Sequence, residues 1–220
     1  MFELNLNLLL AARTHTATNK DLRLMLQGVR LDFRAGKMIA TDGHRIFLAC
    51  IEKQDEDAVT VPNELLDNLQ KIVKASKLKA GEKTSVELEI VGDALKFTFN
   101  CASVLGFKGE KQFPDYFRVI PASVSGEPAQ YQTKYAFEAT KALRLAVNAD
   151  KADFNLVHNG DSCGIMSTVD HDGQPIIIGI MPLRSQHTGS NAQNVLAANE
   201  RLDQVLGIKK IEEPKQADAA

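Results

Sequence analysis

KMIATDGHRIFLAC, residues 37–50, is the stretch on which the reading of this 220-residue chain turns. Its middle, ATDGHR at 40–45, lies between two strand-like flanks, KMI before and IFLAC after. Asp-Gly is a strong turn signal: glycine tolerates left-handed backbone and aspartate bonds to its own main chain. Asp42 and His44 sit side by side there, a pairing that suits acid–base chemistry or metal ligation. Either role needs convergent partners, and the chain has no HExxH and no CxxC. A structured turn carrying a solvated histidine accounts for the same residues. No catalytic residue, metal site or cofactor is assigned.

Outward from this stretch the chain reads as three similar pieces, each a helix followed by strands. The first has a helix over 6–16, a strand over 24–33, a Gly36 turn and a strand over 37–52. In the second, Leu65, Leu66, Leu69, Ile72, Val73 and Leu78 recur at helical spacing behind Pro62, which suits a first-turn position. Val86, Leu88 and Ile90 then alternate with Glu87 and Glu89. Beyond Gly92–Asp93, Leu95, Phe97 and Phe99 alternate with Lys96, Thr98 and Asn100. That is a hairpin with one wet face. A Ser/Gly/Pro/Ala linker at 121–128 leads to a helix around 135–147. Strands over 154–158, 162–169 and 174–183 follow, separated by Asn159–Gly160 and Asp172–Gly173 turns. At 191–208 Val195, Leu202 and Leu206 mark an amphipathic helix, and IEEPKQADAA (211–220) reads as a disordered tail.

Composition excludes little. Hydrophobic residues make up 44% and charged residues 25%, the proportions of a soluble globular protein. No apolar run approaches the roughly 18–20 residues that span a membrane, so no membrane partner is expected. Asn5 and Asn7 interrupt the apolar N-terminus and no cation precedes it, which suits a helix start rather than a signal peptide. Cys50, Cys101 and Cys163 are widely spaced, as reduced thiols of a cytoplasmic protein would be. With a net charge of −2, any nucleic-acid contact must come from a local patch.

Four segments, in order, resemble one family. ATDGHR followed by an apolar strand resembles the central signature of the middle domain of the bacterial replicative sliding clamp, the DNA polymerase III β subunit. DLRLMLQGV (21–29) fits the strand pair upstream of that signature. QFPDYFRVIP (112–121) resembles the segment that ends the middle domain, and IIGIMPLR (177–184) resembles the final strand. The resemblance covers roughly 5–185 and implies an α+β sliding-clamp (DNA clamp) fold of repeated helix-plus-antiparallel-strands units. Residues 1–120 would be a clamp domain like the family's middle one. Residues 129–185 would be a half-size domain like the end of its last, and 186–220 a C-terminal extension. The family's first domain and half of its last have no counterpart here. Phe117 stands where a basic residue is usual, and Ser185 where a leucine is.

The resemblance also implies a function and its residues. In the family the motifs line a shallow apolar cleft where short clamp-binding peptides of polymerases, the clamp loader and repair proteins dock. Carried over, the cleft comprises Leu26, Thr41, Gly43, His44, Arg45 and Ile46, then Pro114, Arg118 and Val119, and finally Met181, Pro182, Leu183 and Arg184. Met and Leu supply a deformable apolar floor, and His44, Arg45 and Arg184 are expected to hold polar groups at the rim. Non-specific contact with double-stranded DNA would come from the helices. The expected cations are Arg13 and Lys20, then Lys71, Lys74 and Lys77, then Lys134, Lys141, Arg144 and Lys151. A lone third unit leaves strand edges uncovered, so a homo-oligomer is expected. The chain is thus expected to be a DNA replication and repair factor rather than an enzyme. A rival reading is a decoy that captures replisome peptides without encircling DNA.

Overall fold

The hairpin expected around ATDGHR forms, and the rest of a large sheet is built on its two strands. β3 (Lys37–Thr41) and β4 (Arg45–Cys50) pair antiparallel with Ala40 opposite Phe47 and Thr41 opposite Ile46. The structure, a computed structural model, describes residues 1–76, 84–149 and 152–183. Met1–Pro182 is one compact unit; a second begins at Leu183. Lys77, Lys151, Arg184, Ser185 and the expected helix and tail of the extension lie outside the described residues.

In chain order the unit runs β1 (Phe2–Asn5), α1 (Leu6–Arg13), β2 (Gly28–Asp32), β3, β4, β5 (Val59–Pro62) and α2 (Asn63–Ala75). Then come β6 (Ser85–Val91), β7 (Ala94–Phe99), β8 (Ala102–Phe107), α3 (Thr133–Ala146), β9 (Asn155–Val157), β10 (Gly164–Val169) and β11 (Pro175–Ile180). Two antiparallel sheets result, one ordered β1-β6-β7-β8 and the other β5-β2-β3-β4-β11-β10-β9. This is the α+β class. The joint that matters is β11 on β4: Ile178 pairs with Phe47, Gly179 with Ile46 and Ile180 with Arg45. It sets a strand from the end of the described chain beside the signature strand. The 121–128 segment runs inside this same unit.

One apolar core joins both sheets to all three helices. Asn5 caps α1, its side chain accepting the amides of Asn7 and Leu8 at 3.0 and 3.2 Å. Leu6, Leu9, Ala11 and Ala12 of that helix are fully buried. α1 packs against both other helices and α3 meets it with Ala139, Ala142 and Ala146 buried, side chains small enough for close approach. In α2, Leu65, Leu66 and Leu69 face inward, as the spacing predicts. The β6–β7 hairpin buries Val86, Leu88, Leu95, Phe97 and Phe99.

Three differences from the sequence reading have physical causes. FELN at the start is a strand on β6, not part of a helix start; its register depends on a partner eighty or more residues on. The expected 24–33 strand begins only at Gly28, behind a 3-10 turn at Leu24–Leu26. β8 went unmarked because its alternation is inverted: Ser103, Leu105 and Phe107 face out, while small Ala102 and Gly106 share the inner side with Val104.

Candidate functional site

The turn between β3 and β4 is held by its own side chains. Asp42 Oδ1 accepts the amides of His44 and Arg45 at 2.9 and 3.1 Å. The Thr41 hydroxyl donates to the Arg45 carbonyl at 2.8 Å and accepts from Gly43 N at 3.1 Å. Gly43 has φ +89°, and that conformation calls for glycine; the nearest neighbour of a Cβ there would be the movable end of Arg23, Nη1 at 2.6 Å. Arg23 closes over the turn, donating to the Asp42 carbonyl at 3.1 Å while paired with Asp21 at 2.7 Å. Its hydrogen bonds hold the Asp21 carboxyl down to about 2.

Arg45 departs from its expected rim position. It is only 6% exposed and reaches three elements at once. Nε donates to Asp42 Oδ2 at 2.9 Å, Nη2 to the Thr14 carbonyl after α1 at 2.9 Å, and Nη1 faces Glu138 of α3 at 2.6 Å. The guanidinium also lies 5.4 Å from the Tyr135 ring centre, and the His44 ring stacks on that same tyrosine at 5.4 Å. Asp42 and His44 therefore serve the turn: one is a capping acceptor, the other is parked on an aromatic ring. Just inside, His15 is fully buried against Phe47, and burial, then the Arg45 charge, push its pKa down to about 3.

The four expected segments converge, with a fifth at 161–163, on a cavity of about 690 Å³ at the end of this hairpin. Leu26 comes from the 3-10 turn, and Thr41, Gly43, His44, Arg45 and Ile46 from the hairpin. Pro114, Arg118 and Val119 come from the segment after β8, and Met181 follows β11. Met181 stays attached to the hairpin through its amide, which donates to the His44 carbonyl at 2.8 Å. Pro182 is not among the lining residues; Leu183 belongs to the second unit. The 114–119 piece is itself ordered: Asp115 caps a 3-10 turn at Tyr116–Arg118, and Tyr116 is buried on Ile39 and Ile46. Arg118 is mostly exposed and pairs with Asp115 at 3.2 Å.

Sequence reasoning missed Arg23, Met25, Tyr116, Pro121, Asp161, Ser162, Cys163 and Gly179, which also line the cavity. Gly179 carried a usable signal, since glycine inside a strand often marks a close approach. A Cβ there would meet Cys163 Sγ at 2.7 Å and Ile46 at 2.8 Å. Burial raises the Cys163 thiol to about 11, so it is an apolar wall rather than a nucleophile. GDSCG (160–164) has the Gly-x-Ser-x-Gly spacing of a nucleophile elbow, a motif the sequence reading passed over. An elbow needs a strand–turn–helix setting. Here the residues lead into β10 of an antiparallel hairpin, and that setting is missing.

The expected DNA-facing cations divide. Lys20, Lys71, Lys74, Lys134, Lys141 and Arg144 are exposed. Arg13 is not a free cation: Asp67 of α2 grips it through Nε and Nη2 at 2.9 and 3.0 Å. The outer side of α2 is of mixed sign, with Glu64 and Asp67 beside Lys71 and Lys74. Among the described residues, the outer side of α3 carries Lys134, Lys141 and Arg144, the last with an interaction of its own, and the helix's single carboxylate, Glu138, turns inward to Arg45. No helix of the described residues is long and apolar enough to cross a membrane.

This antiparallel α+β unit has the sliding-clamp fold, shared with solved clamp structures. A β sliding clamp of Pseudomonas aeruginosa bound to griselimycin superposes with a TM-score of 0.61 at 16% identity, over 83% of this chain and 65% of that one. The Caulobacter crescentus polymerase III β subunit gives 0.60 at 19% identity, over 83% and 65%. The chain is also related in sequence to the bacterial β sliding clamp: those of two Caulobacter vibrioides strains are 26% identical to it over 155 residues. That match takes in 65% of this chain and 41% of theirs, so the chain spans less than half the length of these curated relatives. No family model matches it.

Proposed function

We propose that this chain is a clamp-type docking platform: it binds short peptides of replication and repair proteins in the hairpin cleft and touches duplex DNA without reading sequence. The convergence of the four segments on one apolar-floored cavity carries the reading. Val119 and Met181 offer apolar surface with Leu26 and Ile46 nearly buried behind them, and Met181 in particular can repack around different side chains. His44, Arg23 and Arg118 are the polar rim; Arg45 supports the turn from beneath. Polymerase, clamp-loader and repair peptides are the proposed ligands, and catalysis forms no part of the reading. Self-association is proposed with it, since among the described residues β8 is a sheet edge with Leu105 and Phe107 on its outer face.

One observation favours the decoy reading: α1 and α2 present compensated rather than uniformly positive charge. Retention on nicked circular DNA separates the two. A platform that encircles DNA stays on the circle and leaves when it is linearised, while a decoy is never retained.

The cleft is tested by titrating a synthetic clamp-binding peptide into the parent protein and a Met181→Asp variant. Affinity is expected near micromolar, because little area is buried and the peptide must be ordered. Met181 is 41% exposed, so the variant keeps its fold while a charge in the apolar floor abolishes binding. Undiminished affinity in a folded Met181→Asp protein rejects the cleft.

A further inference from the structure

The outer face of α3 carries Lys134, Phe137, Lys141 and Arg144, spaced three, four and three residues apart. Such residues are neighbours on one helical stripe, each about 5–6 Å from the next. Phe137 is 68% exposed in the middle of this cationic row and does not line the cleft. A contact that met only duplex phosphates would need the cations and not the ring. The ring is apolar and its partners must carry negative charge, which describes a polyanion with accessible flat faces.

We propose that α3 binds single-stranded nucleic acid, with a base stacked on Phe137 and phosphates paired with Lys134 and Lys141. Duplex DNA hides its base faces in the stack, whereas every unpaired base presents one, and stacking platforms of this kind are sequence-tolerant. An acidic peptide is the weaker fit, because peptide anchors need a desolvated pocket. Here the ring projects from a helix between cations. The inference rests on the proposed DNA contact and refines it: α3 would engage the unpaired strand beside a duplex, while the mixed-charge α2 has no comparable ring.

The chain contains no tryptophan, so Phe137→Trp places a single tryptophan at the site, excited selectively over the three tyrosines. The probes are an oligothymidylate of about 16 nucleotides, the upper site size of such platforms, a duplex of equal length, and polyglutamate. Oligothymidylate is expected to quench the Phe137→Trp emission, and the duplex to leave it unchanged at equal occupancy. Phe137→Ala should weaken oligothymidylate binding about tenfold, as loss of one stacked base does, and duplex binding by less than about twofold. Silent emission while labelled oligothymidylate is bound overturns the inference and leaves the DNA reading standing. Equal quenching by polyglutamate also overturns it, by showing a general polyanion face. If the parent binds neither nucleic acid at low salt, the DNA reading falls and this inference with it.

Discussion

Removing the Arg45 guanidinium tests whether the arginine of ATDGHR is a strut or a ligand for incoming peptides. In Arg45→Met the Thr14 carbonyl loses a charged donor at 2.9 Å, worth about 1.5–3 kcal/mol. Asp42 keeps the two backbone amides of its turn but loses its counter-charge. Glu138 is a third exposed, so water screens its loss to below about 1 kcal/mol. Together these give about 3 kcal/mol, at the lower edge of what breaking a buried ion pair costs. For a domain of this size that is a drop in Tm of about 6–12 °C. Arg45→Met combined with Glu138→Met should recover part of it, because an apolar pair replaces a stranded carboxylate. Arg45→Lys should fall between, since one ammonium cannot reach Asp42, Thr14 and Glu138 together. Thermal and urea unfolding, followed by circular dichroism, measure all four proteins, with peptide titration alongside. If Arg45→Met melts with the parent yet loses peptide affinity, Arg45 is a ligand contact and the strut is refuted.

Other expectations follow from the same geometry. The folded pKa of His15 is depressed, so its contribution is present above the unfolded value of 6.5 and is lost as pH falls toward about 3. At pH 5 the protein should be about 2 kcal/mol less stable than at pH 7.5, 1.5 pH units below the unfolded pKa. A His15→Phe variant should lack that slope; parallel pH profiles of parent and variant would contradict it. Reversing Lys134 and Lys141 to Glu should weaken duplex binding and flatten its salt dependence more than reversing Lys71 and Lys74 does, because α2 already carries opposing carboxylates. Equal effects in a salt titration would mean the charge balance of the two helices does not matter. In thiol labelling Cys101 should react quickly and Cys163 only upon unfolding, given their exposed and buried positions.

The sequence by itself determined the local elements wherever period and turn chemistry spoke together. Asp42-Gly43 between apolar flanks fixed the β3–β4 hairpin, and the stripe of Leu65, Leu66 and Leu69 fixed α2. The alternation of Val86 to Phe99 fixed the β6–β7 hairpin. Ten of the thirteen expected cleft residues line one cavity because the motifs that carry the family resemblance also end the strands that build it. Tertiary structure alone decided what depended on partners far along the chain. β11 chose β4 as its neighbour, which brought Cys163 and Gly179 into the cleft with no local signal from the cysteine. β8 hid its small residues inside and showed Leu105 and Phe107 outside, defeating periodicity. Charge was the most misleading guide. Arg13 and Arg45 read from sequence as exposed cations, but Asp67 of α2 and Glu138 of α3 lie across from them. A side chain's charge is written in its residue type, whereas the counter-charge that faces it is set by how the helices pack.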